Sequence, residues 1–464
     1  MKRICTLLLC ALLILIAAAL PLSSCGRDKT PDVPAFCMGF GYAEIDVPTD
    51  SDDPLYIAGY HQGWEIGDVS DNQRASAVWI DTGRDDGILL ISVDCIGLSS
   101  ATCDDVRDAL KDFTKRTGCT SVNICSTHDH AGVDTLGLWG DVAMNGKNAD
   151  FMDNLIAAAV IAAEDAYASR RSGELYFGSA ETTGMQRDSR EPEVYDPTLY
   201  QFRFAPQDGG AGIRVILYAA HAESMRGDNT LVSRDYPGVL CDSVKAASGD
   251  DALFLQGAIG GLIMTSVQTS GDFDAVENRD LTGQRLADSA LSIDPAAETR
   301  LTPALKVTRE DFCIPLDNTL FMYYRFLGIL GNPMKNGKSG TGYEMRTSLT
   351  VLSLGEKTLA LMPGELFPEL VTGDGLTPDD PEPLRAVAAR HGVSNLLVAG
   401  LCNDEIGYVV PPSDYLLDDD LPFIQEARDE TGRGHYEETN SVGREAAACI
   451  AAALDRALKH HCGS

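Results

Sequence analysis

The chain has 464 residues, 44% hydrophobic and 23% charged, long enough for one large α/β domain or two smaller ones. With 37 basic against 69 acidic residues its formal net charge is −32. That excludes nucleic acid as a partner and disfavours docking on anionic lipid through a basic face.

Lys2 and Arg3 precede an apolar run over residues 4–20, and Leu22-Ser23-Ser24-Cys25 then has the form of a bacterial lipobox. Residues 1–24 are expected to be a lipoprotein signal peptide, and Cys25 the lipidated residue. Residues 25–37 are then a polar tether and 38–464 the folded part. The alternative is an uncleaved anchor, for which the run is short. Either way the folded part is extracytoplasmic and anchored to the bacterial cell membrane. Of thirteen cysteines, ten remain after Cys5, Cys10 and Cys25 are set aside. They show no CxxC spacing, and Cys95, Cys125 and Cys402 sit in apolar runs as small buried residues.

Residues 88–94 form a continuous apolar run, the pattern of a strand covered on both faces. Val106, Leu110 and Phe113 give an amphipathic helix over 103–117, with Gly118 as its C-cap, and 121–126 is the next strand. Strand, helix, strand is a right-handed crossover, so these two strands are parallel. A helix over 150–169 follows, then strands at 174–177, 199–204 and 213–220, a helix over 236–247 and an apolar run at 253–255. Residues 262–345 read as loops and a mobile cover. Residues 350–362 suit a hairpin around Gly355, 384–391 a short helix, 395–399 a buried strand and 441–459 an alanine-rich last helix. The fold class is α/β: a mixed, partly parallel sheet core with flanking helices and no linker that divides it.

Polar residues stand just beyond four of the apolar strands. His128 and His130, in Ser126-Thr127-His128-Asp129-His130-Ala131-Gly132, follow 121–126, and His221 follows 213–220. Glu365, in Met362-Pro363-Gly364-Glu365, follows the hairpin, and Asn403 to Tyr408 follow 395–399. Ligands of open α/β sheets bind outside the carboxyl ends of the strands, so these positions can converge into a metal site there. Two imidazoles and a carboxylate with one position open to water form a catalytic zinc set, and zinc lowers the pKa of its water to about 7. The alternative is a set of unrelated loop residues, with the His-x-His pair hydrogen-bonded in its turn. Asp94 either orients a ligating imidazole or caps a turn. His61 rims the site, His391 ends a helix, and His460 and His461 are solvated. Asp418-Asp419-Asp420 is a solvated loop.

The stretch 126–132, Tyr218-Ala219-Ala220-His221-Ala222-Glu223-Ser224-Met225 with Ser233-Arg234-Asp235-Tyr236-Pro237-Gly238, Pro363-Gly364-Glu365, and Asn403-Asp404-Glu405-Ile406-Gly407-Tyr408 occur in that order. Together they resemble the catalytic domain of the neutral/alkaline ceramidase family, zinc-dependent amidases that split ceramide into sphingosine and fatty acid. The resemblance spans roughly residues 38–460. It implies Zn2+ bound by His128, His221, Glu365 and Tyr408, with His130 facing the substrate. It also implies Arg187, in Gly184-Met185-Gln186-Arg187, near the scissile amide and Tyr436 as an oxyanion donor. The expected activity is a zinc-dependent amide hydrolase acting on ceramide or a related N-acyl lipid. The chain departs from the family after Gln256, where Ile263 fills an expected polar position, with Thr265 and Ser266 the nearest polar side chains. Two alternatives follow: a catalytically impaired relative that binds lipid or glycan at the cell surface, or a zinc hydrolase of another amide or ester.

Overall fold

The computed structural model describes residues 35–83, 86–264, 267 and 272–463. The stretch expected as signal peptide, Cys25, residues 25–34 of the expected tether, Thr265 and Ser266 lie outside the described residues. The first described strand, Phe36–Glu44, begins inside the stretch expected as tether. Among the described residues no helix is long and apolar enough to cross a membrane.

The core is a nine-stranded mixed sheet. Its strands run in the order Asp251–Gln256, Ile213–Tyr218, Thr198–Pro206, Arg171–Glu181, Phe36–Glu44, Arg74–Asp81, Ile88–Val93 and Ser121–Ser126, with Thr299–Arg300 added beside Arg171–Glu181. The two outer pairs are parallel, Ile88 opposite Ser121 and Asp251 opposite Ile213, and the strands between are antiparallel. The sheet curls until its ends meet: Ser92 Oγ donates to the Phe254 carbonyl at 2.7 Å, and Gln256 Nε2 donates to the Thr127 carbonyl at 3.0 Å. The helix Ala149–Ala168 covers one face. It can lie flat because five of its seven buried residues are alanine and the strand opposite carries Gly39 and Gly41. A Cβ at Gly41 would stand 2.4 Å from the Ala162 carbonyl oxygen.

A second, five-stranded sheet runs Leu305–Leu316, Tyr343–Leu354, Lys357–Leu361 and Leu397–Ala399, with Met334–Asn336 beside Tyr343–Leu354. Its last pair is parallel, Leu359 opposite Leu397. Leu352, Leu359, Leu361 and Leu397 from this sheet share one buried cluster with Phe202, Leu217, Leu253 and Leu255 from the first. Each such side chain contributes roughly 1.5–3 kcal/mol by leaving water.

Four expectations need correction. Residues 262–345 are largely regular structure, with helices Ala275–Leu291 and Thr319–Phe326 and the long strand Leu305–Leu316. Their sequence signal is weak because the helix buries mostly small residues, with Gly283 against Val239, and the strand is a half-exposed edge rich in charge. The helix expected over 103–117 is two, Ser100–Ala109 and Lys111–Thr117, and it starts early because Ser99 caps it through the Thr102 amide. The last helix runs Ala446–Cys462; Ser441 is held by Tyr415, whose hydroxyl lies 2.7 Å from its Oγ. His461 at its end is not solvated: it is 4% exposed, with Nε2 2.8 Å from Ser353 Oγ and Nδ1 3.0 Å from Thr308 Oγ1.

Burial, and then Lys306, lower the His461 pKa from its ordinary 6.5 to about 4. Below about 6.5 an unfolded histidine takes up a proton that the folded one refuses, so stability should fall as pH drops from 6.5 towards 4. His461→Asn should flatten that slope by about 1–3 kcal/mol. Urea unfolding at pH 7 and 4.5 measures it; equal slopes would contradict the assignment.

Candidate metal centre

The parallel pairs of the two sheets direct their carboxyl ends to one place, and there the chain leaves regular structure in left-handed turns. His128, Leu401 and Asn403 have φ of 61°, 52° and 66°, conformations that side chains other than glycine rarely adopt. Such turns persist only where surrounding bonds over-determine them. Gln256 supplies several. Fully buried, it accepts from the Ala220 amide at 3.2 Å and donates to the carbonyls of Ala220 and Thr127 at 2.8 and 3.0 Å. It thus clamps the His128 loop to the His221 loop. Glu365 opens a two-residue strand, Glu365–Leu366, parallel to Tyr408–Val409, with Glu365 opposite Tyr408.

Nε2 of His128 and Nε2 of His221 each lie 3.2 Å from the same atom, Glu365 Oε2. All three residues are at least 95% buried. Yet His128 Nε2 and Glu365 Oε2 have no hydrogen-bond partner of acceptable geometry. Buried polar atoms without partners are costly, and two imidazole nitrogens facing a carboxylate oxygen are a donor set suited to a cation. Ligands about 2.0–2.1 Å from a tetrahedral ion stand roughly 3.3–3.4 Å apart, close to the separations here. His128 is oriented through Nδ1, 2.7 Å from the Ile96 carbonyl, which leaves Nε2 for the ion. His130 belongs to the same group: ligand atoms of His128, His130 and His221 lie within 4.8 Å of one another, and neither ring nitrogen of His130 has a partner. The cluster can therefore hold a metal ion, with Glu365 or His130 as the third donor.

Electrostatics separates those two. Burial acts to raise the Glu365 carboxyl, but His128 and then His221 outweigh it and hold it well below the usual carboxylate range. Burial lowers His221, and Glu365 more than restores it. Burial, then repulsion from His128 and His221, keeps His130 well below its ordinary value and hence neutral. Burial, then Glu365, pushes the neighbouring Glu405 carboxyl up.

Tyrosines line the approach. The Tyr408 and Tyr436 hydroxyls lie 3.2 Å apart, and Tyr408 is 7% exposed against 44% for Tyr436. Tyr436 is fixed from behind. Buried Arg190 donates to Glu437 and Glu438 at 2.8 Å each and to Asp414 at 2.7 Å. Tyr60 sets an edge on His130, ring centres 5.1 Å apart, and donates to Glu223 Oε2 at 2.7 Å. Beyond it opens a cavity of about 430 Å³ lined by Tyr60, Arg187, Glu223, Arg226, Ile263 and Met264.

His128, His130, His221, Glu365, Tyr408 and Tyr436 thus come together. Arg187 lines the same cavity as Tyr60, opposite Ile263 in a short antiparallel pair, and among the described residues bonds to none of them. Asp94 does not orient His128; it accepts from the Arg74 amide at 3.1 Å, and the Ile96 carbonyl takes the orienting role. His61 packs on Trp64 at 4.3 Å between ring centres. Asp418 accepts from the Asp420 and Leu421 amides, as a loop residue does. Sequence reasoning missed Gln256 as a clamp and Arg190 as a support. A polar residue ending an apolar strand was the available signal for the first; nothing local marks the second.

No family model and no curated protein matches the chain. Solved structures do. It is similar to the neutral ceramidase from Pseudomonas aeruginosa with a TM-score of 0.72 and 18% identity, over 93% of this chain and 75% of that one. It is also similar to a ceramidase complexed with C2, with a TM-score of 0.70 and 16% identity, over 92% and 75%. The fold is therefore shared with these ceramidases.

Two variants test the packing around the cluster. Gly59 has φ 113°, and a Cβ there would stand 2.5 Å from His130 Nδ1, so Gly59→Ala should displace that ring and cost about 1–3 kcal/mol. Gln256→Ala strips partners from three buried backbone groups and should cost about 2–4 kcal/mol. Denaturant unfolding reads both; losses under 0.5 kcal/mol would contradict the packing described.

Proposed function

We propose that the protein is a metal-dependent amide hydrolase of the ceramidase type, cleaving the N-acyl bond of ceramide or a related N-acyl lipid. The observation that carries this reading is the convergence of His128 and His221 on one Glu365 oxygen, buried and unpartnered, beside a cavity. His128, His221 and Glu365 would hold the ion, with the Tyr408 phenol as fourth donor. Glu365 is preferred to His130 because its carboxylate neutralises charge and its spacing suits tetrahedral coordination. Histidine and carboxylate donors suit zinc, which would acidify a bound water and polarise a carbonyl.

The chain's own residues do the rest. The Tyr436 hydroxyl donates to the amide oxygen as negative charge develops on it, and Arg187 adds a second donor if the substrate reaches past Tyr60. His130, neutral and without a competing partner, can carry a proton to the leaving amine. The lipidated Cys25 and its tether would hold residues 38–464 at the membrane surface outside the cell, where N-acyl lipids are presented. Ile263 favours a second reading, a relative that binds lipid or glycan without turning it over, because an alkyl group stands where the family has a polar one. A zinc hydrolase of a different amide or ester is the third.

The test is fatty-acid release from ceramide by a soluble chain beginning after Cys25. Release should depend on zinc and stop with a chelator. His130→Gln should lower kcat by about 10²–10⁴-fold while the protein still binds zinc. Absence of turnover across a panel of N-acyl lipids by folded, zinc-loaded protein would contradict the proposal and favour the binding role.

A further inference from the structure

Arg187 and Arg226 line the cavity beyond Tyr60 together, and one of them has no task in amide cleavage. Among the described residues neither guanidinium makes an ion pair, although the chain holds nearly twice as many acids as bases and pairs many of its other arginines. Glu223, the carboxylate in the same cavity, makes no ion pair with either, and one carboxylate beside two guanidinium groups leaves an excess of positive charge there. Its Oε2 accepts from the Tyr60 hydroxyl at 2.7 Å and its Oε1 from the Met264 amide at 3.1 Å. Arg226 is held instead over the ring of Phe273, 3.9 Å from its centre, and its backbone is left-handed at φ 62°. That stacking holds the exposed guanidinium over the ring, and among the described residues its N–H groups have no hydrogen-bond or ion-pair partner. Ile263 and Met264 form the apolar wall beside it.

This cavity is one residue from the imidazole cluster. Tyr60 touches His130 on one side and lines the cavity on the other. The backbone leads the same way, since the His130 amide donates to the Ala222 carbonyl, next to Glu223, at 2.9 Å. A neutral amide lipid has no use for two guanidinium groups there. One donor can serve the developing oxyanion, which leaves Arg226 over. In a chain of net charge −32 an anion is repelled at long range, so binding one requires cations close by.

Resting on the hydrolase reading above, we infer that the substrate is an N-acyl amine carrying an anionic group, a carboxylate or a sulfonate, bound by Arg226 with Arg187. The alkyl portion beside that group lies against Ile263 and Met264. On this account Ile263 belongs to a rebuilt substrate wall, in which charge recognition has moved onto the arginines.

Binding tests this apart from turnover. N-dodecanoylglycine, N-dodecanoyltaurine and neutral N-dodecanoylethanolamine would each be titrated calorimetrically into the zinc-loaded chain and again in chelator. At least one anionic probe should bind tenfold or more tightly than the neutral one in both conditions, and which one identifies the anion. That preference should fall below threefold in Arg226→Gln and survive in large part in Arg226→Lys, which also controls for folding. Equal binding of all three probes, a preference unchanged in Arg226→Gln, or a carboxylate preference seen only with zinc would overturn the inference. Ceramide cleavage without anion preference would sink the inference and leave the hydrolase reading standing. Anion preference without any turnover would do the reverse.

Discussion

Two imidazole nitrogens aimed at one carboxylate oxygen, 3.2 Å from each and hidden from water, are the constraint around which the molecule is built. His128 Nε2 and Glu365 Oε2 have no hydrogen-bond partner there, and buried polar atoms of that kind are costly unless something completes them. The two sheets explain how it is held. Each donor comes from the carboxyl end of a different strand, so three separate lengths of backbone must be fixed to within a fraction of an ångström. The curling of the larger sheet brings the His128 and His221 strand ends together, and Gln256 bonds them across the gap. The second sheet brings Glu365 in from the opposite side on a strand paired with Tyr408.

Charge follows from the same geometry. Glu365 stays ionised in spite of its burial because two imidazoles face it, and His130 is held well below its ordinary value first by its burial and then by repulsion from those same imidazoles. One cluster thus holds an anion suited to a cation and a neutral base suited to a proton, a few ångströms apart. Around it the supporting groups are themselves charged and buried. Arg190, locked among Glu437, Glu438 and Asp414, sets the turn that presents Tyr436. Breaking a buried pair of that kind by removing one partner costs about 3–5 kcal/mol, so the tyrosine's position is well defended.

Much of this was legible in the sequence. The parallel pair 88–94 with 121–126 followed from two apolar runs around an amphipathic helix, and His128, His221 and Glu365 stood out as candidates because each comes just after a strand, whereas Tyr408 was singled out only by the family resemblance. What was hidden depends on contacts distant in sequence. The strand Leu305–Leu316 carries an edge pattern, its charges facing water, and so looks like a loop. Of the two readings open for Asp94, the orienting one belongs instead to the carbonyl of Ile96, which no side-chain pattern can announce. His461 looks like a solvated helix end until Ser353 and Thr308 of the second sheet close over it. Ile263 looks like a loss until Arg187, directly opposite it, and Arg226 are seen to share its cavity.

The central claim is that His128, His221 and Glu365 form one metal site. The measurement that tests it most directly is zinc stoichiometry and affinity, by calorimetry and elemental analysis, for the native chain and for His128→Ala, His221→Ala and Glu365→Gln. The account predicts one tightly bound zinc per chain in the native protein and an affinity at least 10²-fold weaker in each variant, with folding retained. Stoichiometric, undiminished zinc in the two histidine variants would contradict it.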